Sequence, residues 1–452
     1  MDNVWDLENY FYHHEDNIES KELIDFKLPN IDLNKANQKY EFHIHDSNSR
    51  ILLSDSYVHL KWRILKKDGN SIGNDNVTAV CGLNPFKSKK LTINGTSIEH
   101  VSDDLHIIQH LLRLGEYTPE YLSSQATELF IFLDSNDTTD RKKFIVGNDG
   151  TITPQTPITQ ITDKLKVIEN EDYNEGFDKR YELTKDSKYN TIWIPLRQIF
   201  DFVKNYPKVL PGHEIKIEFE RNSDENMLYT DVANPNYKVE FVELSLKLAH
   251  IKLKNSGRVN FDKLVASGKN IDIYWNNYDI YRINQIDKHN RGSYNIPAST
   301  DEILKLYVIP QYTDRTDNIK SNNMIFDNLD MIECWYSING IPKLAEHYMM
   351  DFNNKEWNRL YEAFLEVTTN KSTETAPLLD YFKFGELYPI ICFDLSKHED
   401  YISVGSLTVS FNYRLRNDTN KAYVLYIITE VRKRSTINIK KLKLNEVESL
   451  AT

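Results

Sequence analysis

Two histidine pairs and two aspartates are the residues of this chain whose types and spacing could do chemistry. In YEFHIH, His43 and His45 flank Ile44. An extended backbone would aim both imidazoles to one side, the spacing with which a β-sandwich can hold a metal ion. The DSNSRILLSD that follows offers no Glu as a further ligand, so the rings read as the polar side of a strand. His106 and His110 stand at i and i+4, the pairing by which a helix presents two rings to zinc. The general base of such a hydrolase would sit at Ile107, and no acid lies between the two rings, so that reading fails. Asp134 and Asp394 end the apolar segments ELFIFLD and YPIICFD, and they are the carboxylates that most clearly recur along the chain. A strand-ending Asp that accepts backbone N–H bonds is expected there, ahead of acid–base catalysis. The aromatic run IYWNNYDIY could stack single-stranded bases, but the charge around it is acidic or mixed.

The elements that must position these residues are mostly strands. YEFHIH (40–45), SYVHLKWRIL (56–65) and HEIKIEFERN (213–222) alternate apolar and polar residues. ELFIFLD (128–134), KRYELTK (179–185), TIWIPL (191–196) and YKVEFVELSLKLAHIKL (237–253) read as further strands. In the last of these the apolar phase slips at Phe241–Val242, which predicts a bulge. The pattern predicts a helix over 103–114, capped by Ser102 and stopped by Gly115, and a second over 354–367. Residues 134–175 form a long polar insert without periodicity, expected to be a surface loop or spacer.

The order of elements repeats. KSKKLTINGTSIE and ECWYSINGIPKL each place an Asn-Gly pair between strand-like arms, Asn94-Gly95 and Asn339-Gly340, with a helix following. Both central positions of a type I′ turn need positive φ, which Asn and Gly tolerate. YPIICFDLS then stands where ELFIFLDS stood, and SLTVSFNYRLRND matches HEIKIEFERNSD. Strands without βαβ alternation, some eight per half, predict an all-β chain of two consecutive antiparallel jelly rolls. The expected boundaries are an arm at 1–36, a first roll at 37–253, a linker at 254–270, a second roll at 271–431 and a basic tail at 432–452.

Composition narrows the classes. Net charge is −12, which argues against wrapping nucleic acid with the whole surface. The tail is the exception, and Arg432, Lys433, Arg434, Lys440, Lys441 and Lys443 could touch phosphate or simply end the chain in solvent. Cys81, Cys334 and Cys392 form no CxxC pair, and an odd count without a disulfide framework fits a reducing compartment. The acidic, aromatic start is not a signal peptide, and no 18-residue apolar run exists. The sequons at Asn76, Asn94, Asn136, Asn370 and Asn417 then read as accidents of an Asn/Thr-rich composition.

The ordered series RILLSDSYVHLKWRILKKDG, LTINGTSIE, HIIQHLLRLGEYTPEYLSSQ and ELFIFLDS resembles the first half of polinton (Maverick) and adintovirus major capsid proteins. The second half, with YSINGIP, DFNNKEWNRLYEAF, YPIICFDLS and VGSLTVSFNYRLRNDTNKAYVLYIITE, resembles that family's closing block. The resemblance covers about residues 25–440. It implies the double jelly-roll lineage of adenovirus hexon and virophage capsids: a non-enzymatic subunit without cofactors, trimeric and pseudo-hexagonal, in a virion shell. It further implies penton and minor capsid proteins as partners. The insert 134–175 and loops near 311–325 and 367–378 would project outward, with arm and tail near the shell base, where weak genome contact is expected. Two other classes stand beside it: a cupin-like metal-binding enzyme using His43 and His45, and a carbohydrate-binding β-sandwich.

Overall fold

The computed structural model describes residues 18–29, 31–45, 50–146, 152–155, 166–169, 171–211, 214–268, 270–285, 289–296, 303–343, 347–368, 376–396, 408–417, 421–438, 443–444 and 448–449. In the first half, the principal strands of two sheets are β1 (Ile18–Lys27), β2 (Lys39–His45), β3 (Arg50–Lys66), β4 (Phe86–Ile93), β5 (Thr96–Val101), β6 (Asn190–Pro195), β7 (Glu214–Arg221) and β8 (Tyr237–Leu253). Their orders are β1-β8-β3-β6 and β2-β7-β4-β5. The second half supplies β9 (Asn270–Gln285), β10 (Arg291–Asn295), β11 (Ile303–Tyr312), β12 (Met331–Ile338), β13 (Ile341–Pro342), β14 (Ile391–Asp394), β15 (Val409–Leu415) and β16 (Tyr423–Asn438). Its sheets run β9-β16-β11-β14 and β10-β15-β12-β13. Position for position the winding is the same, so the chain is two jelly rolls in tandem, mostly β with short helices.

The Asn-Gly turns mark equivalent places. Asn94 and Gly95 have φ of 49° and 80°, and Asn339 and Gly340 have 51° and 78°. The asparagine side chain does a second job in both rolls. Asn94 Oδ1 accepts from the Glu214 N–H at 2.8 Å, and Asn339 Oδ1 accepts from the Thr408 N–H at 3.1 Å. Each turn therefore ties its hairpin to the neighbouring strand by a bond no sequence pattern announces. The slip at Phe241–Val242 is the predicted bulge: Phe241 pairs with Trp62 and Glu243 with Lys61, leaving Val242 between.

Several expected elements differ. Strand β1 lies inside the supposed arm and pairs with β8 from Ile18–Leu253 to Lys27–Ser245. It is an edge strand exposed along most of its length, so its residues carry no alternation to read. The supposed strand 179–185 belongs to helix α2 (Glu175–Thr184), where Phe177, Arg180, Tyr181 and Thr184 are buried at helical spacing. Residues 128–134 pair with no strand: a 3-10 turn covers Gln125–Leu129, and Phe130 and Ile131 are buried without joining a sheet. The counterpart of β14 is β6, so Asp134 and Asp394 do not occupy equivalent places. The insert holds a three-stranded sheet, with Lys143–Val146 between Ile152–Gln155 and Lys166–Glu169.

The linker 254–270 contains helix α3 (Asn255–Ser267), whose Phe261 packs with Leu52, Val209 and Ile251. The basic tail is strand through 438: Arg432, Lys433 and Arg434 pair with Asn276, Trp275 and Tyr274, and the Arg434 guanidinium lies 3.0 Å from Asp272. Lys443 sits in a short strand on β16, while Lys440 and Lys441 lie outside the described residues. Helix α1 spans Leu105–Glu116, two residues later than expected, with left-handed Asp104 and not Ser102 at its cap. Gly115 is inside it: a Cβ there would fall 2.8 Å from Thr368 of helix α4 (Asn358–Thr368), so this glycine lets the helices approach instead of stopping one.

Registers fix a polarity. Ile18 meets Leu253 and Asn270 meets Asn438, so the start of β1, the α3 connection and the end of β16 share one pole. Lys66 meets Tyr237 and Tyr312 meets Tyr423, which puts the long connections after β3, β5, β7 and their counterparts at the other.

Candidate functional site: the seam between the rolls

The structure separates the histidines by burial. His43 and His45 are exposed on β2, and His43 Nε2 lies 3.4 Å from a Glu41 oxygen. Among the described residues no group of three His, Cys, Asp or Glu is placed to hold a metal. His106 and His110 are instead buried inside α1, and burial pushes their rings down to about 4 and about 3. His110 meets Phe326 edge-on at 5.5 Å and Tyr388 at 5.7 Å, both from the second roll. The pair is therefore packing material at the contact between rolls.

Asp134 is the centre of that contact. Its carboxylate takes Arg180 Nη2 at 2.6 Å, Asn174 Nδ2 at 2.8 Å and, from the second roll, Asn322 Nδ2 at 3.0 Å. The Tyr388 hydroxyl donates to the Asp134 carbonyl at 3.2 Å. Arg180 also donates to the carbonyls of Ala79 and Phe132, and neither ion of the pair has any exposed side-chain surface. Asn174 caps α2 through the Phe177 N–H and so fixes where Arg180 points. Asp394, by contrast, does what a strand-ending Asp was expected to do, accepting from the Ser396 N–H at 3.0 Å.

Gly176 permits this approach. A Cβ there would lie 2.2 Å from the Leu133 carbonyl oxygen, a backbone atom that cannot rotate away. Gly176→Ala should destabilise the chain by about 2 kcal/mol through overpacking, measured as a lower urea midpoint with an unchanged slope.

Arg315 makes a second bridge. It binds Asp327 within its own roll at 2.8 Å and Asp137 of the first roll's insert. Although burial opposes its charge, the two carboxylates hold the guanidinium above its ordinary range, whereas burial pushes Asp137 up. A third cluster lies beside β9. Lys89 Nζ sits 2.9 Å from Glu99 and 3.8 Å from Asp201, and donates to the Ile199 carbonyl at 2.7 Å. Burial, with Glu99 adding to it, pushes Asp201 up to about 7. Next to it Phe202 meets Trp275 of β9 edge-on at 5.3 Å. Hydrogen bonds, ion pairs and rings thus join the two rolls at several points. Among the described residues, the carboxylates, guanidinium groups and ammonium of these clusters are engaged with one another.

Residues 140–431 match the family model described as a double jelly roll-like domain. A search of curated protein sequences finds no match. Among solved structures, the mavirus major capsid protein aligns over 95% of this chain and 90% of its own, with 11% identity and a TM-score of 0.52. A chain of the Sputnik virophage aligns over 98% and 91%, with 11% identity and a TM-score of 0.56. The Faustovirus major capsid protein aligns over 94% and 91%, with 9% identity and a TM-score of 0.55. These likenesses concern the fold, and they span it end to end. Two rolls of one winding, and a family model that covers most of the chain, place this protein in the double jelly roll-like domain family.

Proposed function

We propose that the chain is a major capsid subunit, a structural and non-enzymatic protein that builds the icosahedral shell of a dsDNA virus or a virus-like integrated element. The observation that carries this reading is the pair of identically wound rolls locked together by the buried Asp134–Arg180–Asn322 network. A duplicated, rigid wall segment is what a tiling shell needs. Three copies give six near-equivalent segments, and rotation closes the ring. Similarity to the mavirus and Faustovirus major capsid proteins supports it. The finer assignment to the polinton and adintovirus type rests on the ordered series of sequence motifs from RILLSDSYVHLKWRILKKDG to VGSLTVSFNYRLRNDTNKAYVLYIITE.

The long connections at one pole suit the outer surface, and the pole with Ile18, α3 and Asn438 suits the shell base, where penton and minor capsid proteins would be neighbours. Genome contact there falls to the basic end of the chain, with Arg434 already engaged by Asp272. Light scattering of the purified protein should give the mass of three chains, and electron microscopy should show pseudo-hexagonal particles. A stable monomer at micromolar concentration would overturn the reading.

A further inference from the structure

We propose that the cleft between α1 and the segment after β6 is a binding site for a small organic ammonium ion, with the Asp201 carboxylate as its anchor and α1 against its apolar body. The proposal goes beyond the capsid reading and does not depend on it.

The cleft has a volume of about 420 Å³, within the range of small-molecule sites, about 300–1,000 Å³. Leu105, Ile108 and Leu112 line it from α1, Ile194 from β6 and Ile199 from the stretch that follows. Tyr117 and Tyr121 add two rings with centroids 4.6 Å apart, and Gln198 fixes Tyr121 by donating to its hydroxyl at 2.6 Å. Such walls suit a short apolar or aromatic body.

Asp201 supplies the specificity. It lines the cleft and is only 8% exposed, yet among the described residues no hydrogen bond reaches its carboxylate. Lys89 stands 3.8 Å away, beyond hydrogen-bond reach, and its ammonium is already held by Glu99 at 2.9 Å and the Ile199 carbonyl at 2.7 Å. Glu99 is in turn filled by Lys89 and by the Phe202 N–H. The buried trio therefore carries one negative charge in excess, on the carboxylate that faces the cleft, and such burial is costly. The other charges of the cleft are placed elsewhere. Lys204 pairs with Glu116 at 2.7 Å, Arg113 donates to Asn84 at 3.0 Å, and Arg197 stands in solvent. An entering ammonium brings what Asp201 lacks, a counter-charge and N–H donors. Because α1 also carries His110 against Phe326 and Tyr388 of the second roll, an occupant that ties α1 to Asp201 braces the seam.

Isothermal titration calorimetry of the purified protein with phenethylammonium, phenethyl alcohol and hydrocinnamate tests this, since the probes share a ring and differ in the end group. The ammonium should bind about tenfold or more tightly than the alcohol, and the acid should not bind. Asp201→Asn should lose about tenfold or more in affinity for the ammonium. Leu112→Trp, which fills the cleft and leaves the carboxylate in place, should abolish binding. Burial pushes the Asp201 carboxyl up to about 7, with Lys89 and Lys204 opposing and Glu99 and Glu116 adding, so its charge is present above that pH and lost below it. Affinity of the parent should then fall about tenfold from pH 8 to pH 6. A parent that does not bind the ammonium, or binds the alcohol equally well, would overturn the site, as would an Asp201→Asn variant that binds like the parent. Should Asp201→Asn fail to fold, binding that survives in Leu112→Trp or stays constant with pH would overturn it instead.

Discussion

Replacing Arg180 with Leu should lower the unfolding free energy by about 3–5 kcal/mol, because the change strands the buried Asp134 carboxylate without its counter-charge. The pair has no exposed side-chain surface, and Arg180 also satisfies the carbonyls of Ala79 and Phe132. Three things are lost together: an ion, two carbonyl partners and the orientation of a carboxylate that also receives Asn322 across the seam. Asp134→Asn should also cost stability, since its one amide oxygen can keep Asn174 or Asn322 but not both, and the buried Arg180 loses its counter-charge. Combining Arg180→Leu with Asp134→Leu should recover part of the loss, as a buried pair removed whole leaves no uncompensated charge. Urea unfolding of the four proteins measures this. Equal losses in Arg180→Leu and the double variant would mean that Asp134 was not the group left stranded.

Acid should loosen the same seam, and the sign follows from burial. His106 and His110 are pushed down to about 4 and about 3, below the unfolded value near 6.5. Between those values the unfolded chain binds more protons than the folded one, so stability contributed by the two rings is full above pH ~6.5 and falls as pH drops. Each ring contributes a slope of up to about 1.4 kcal/mol per pH unit. Arg113, His106 and Arg180 surround His110 and disfavour its charge, while Asp103 and Asp317 favour charge on His106 against Arg282 and Arg113.

Burial also pushes Asp104 up to about 6 and Asp201 up to about 7, which gives stability the opposite trend over the same range. The clean measurement is therefore a difference. His110→Phe keeps a ring against Phe326 and Tyr388, and its stability should fall less steeply than the parent's between pH 6 and pH 4, by about 1.4 kcal/mol per unit. Parallel curves for the two proteins would show that His110 takes up its proton without resistance.

The strands with one wet face were legible, because Phe42, Ile44, Leu60, Trp62, Ile215 and Ile217 alternate with polar residues and the structure buries every one. The turns were legible for a different reason: positive φ at two successive positions restricts the residue types. Strand β1 was hidden because an exposed edge imposes no pattern on IESKELIDFK. Residues 128–134 misled because burial alone makes a segment apolar, whether or not it pairs. The Asp134 network had no local signature at all. Its members, at 134, 174, 180, 322 and 388, meet only once both rolls have formed. One signal was present and went unread. KAYVLYIITEV is apolar without alternation, as a strand covered on both sides must be, whereas YKVEFVELSLKL alternates.

The strand registers also set an order in time. Ile18 pairs with Leu253, so the first roll cannot close its sheet until its final strand has been made, and Asn270 waits likewise for Asn438. Contacts so distant along the chain form late and slowly. During synthesis the first roll can finish before most of the second has left the ribosome. Strand β16, buried on both its sides, emerges after the strands of the first roll and after β9 to β15. By then the surface that shields it is already in place, and the nascent chain acts as its own template.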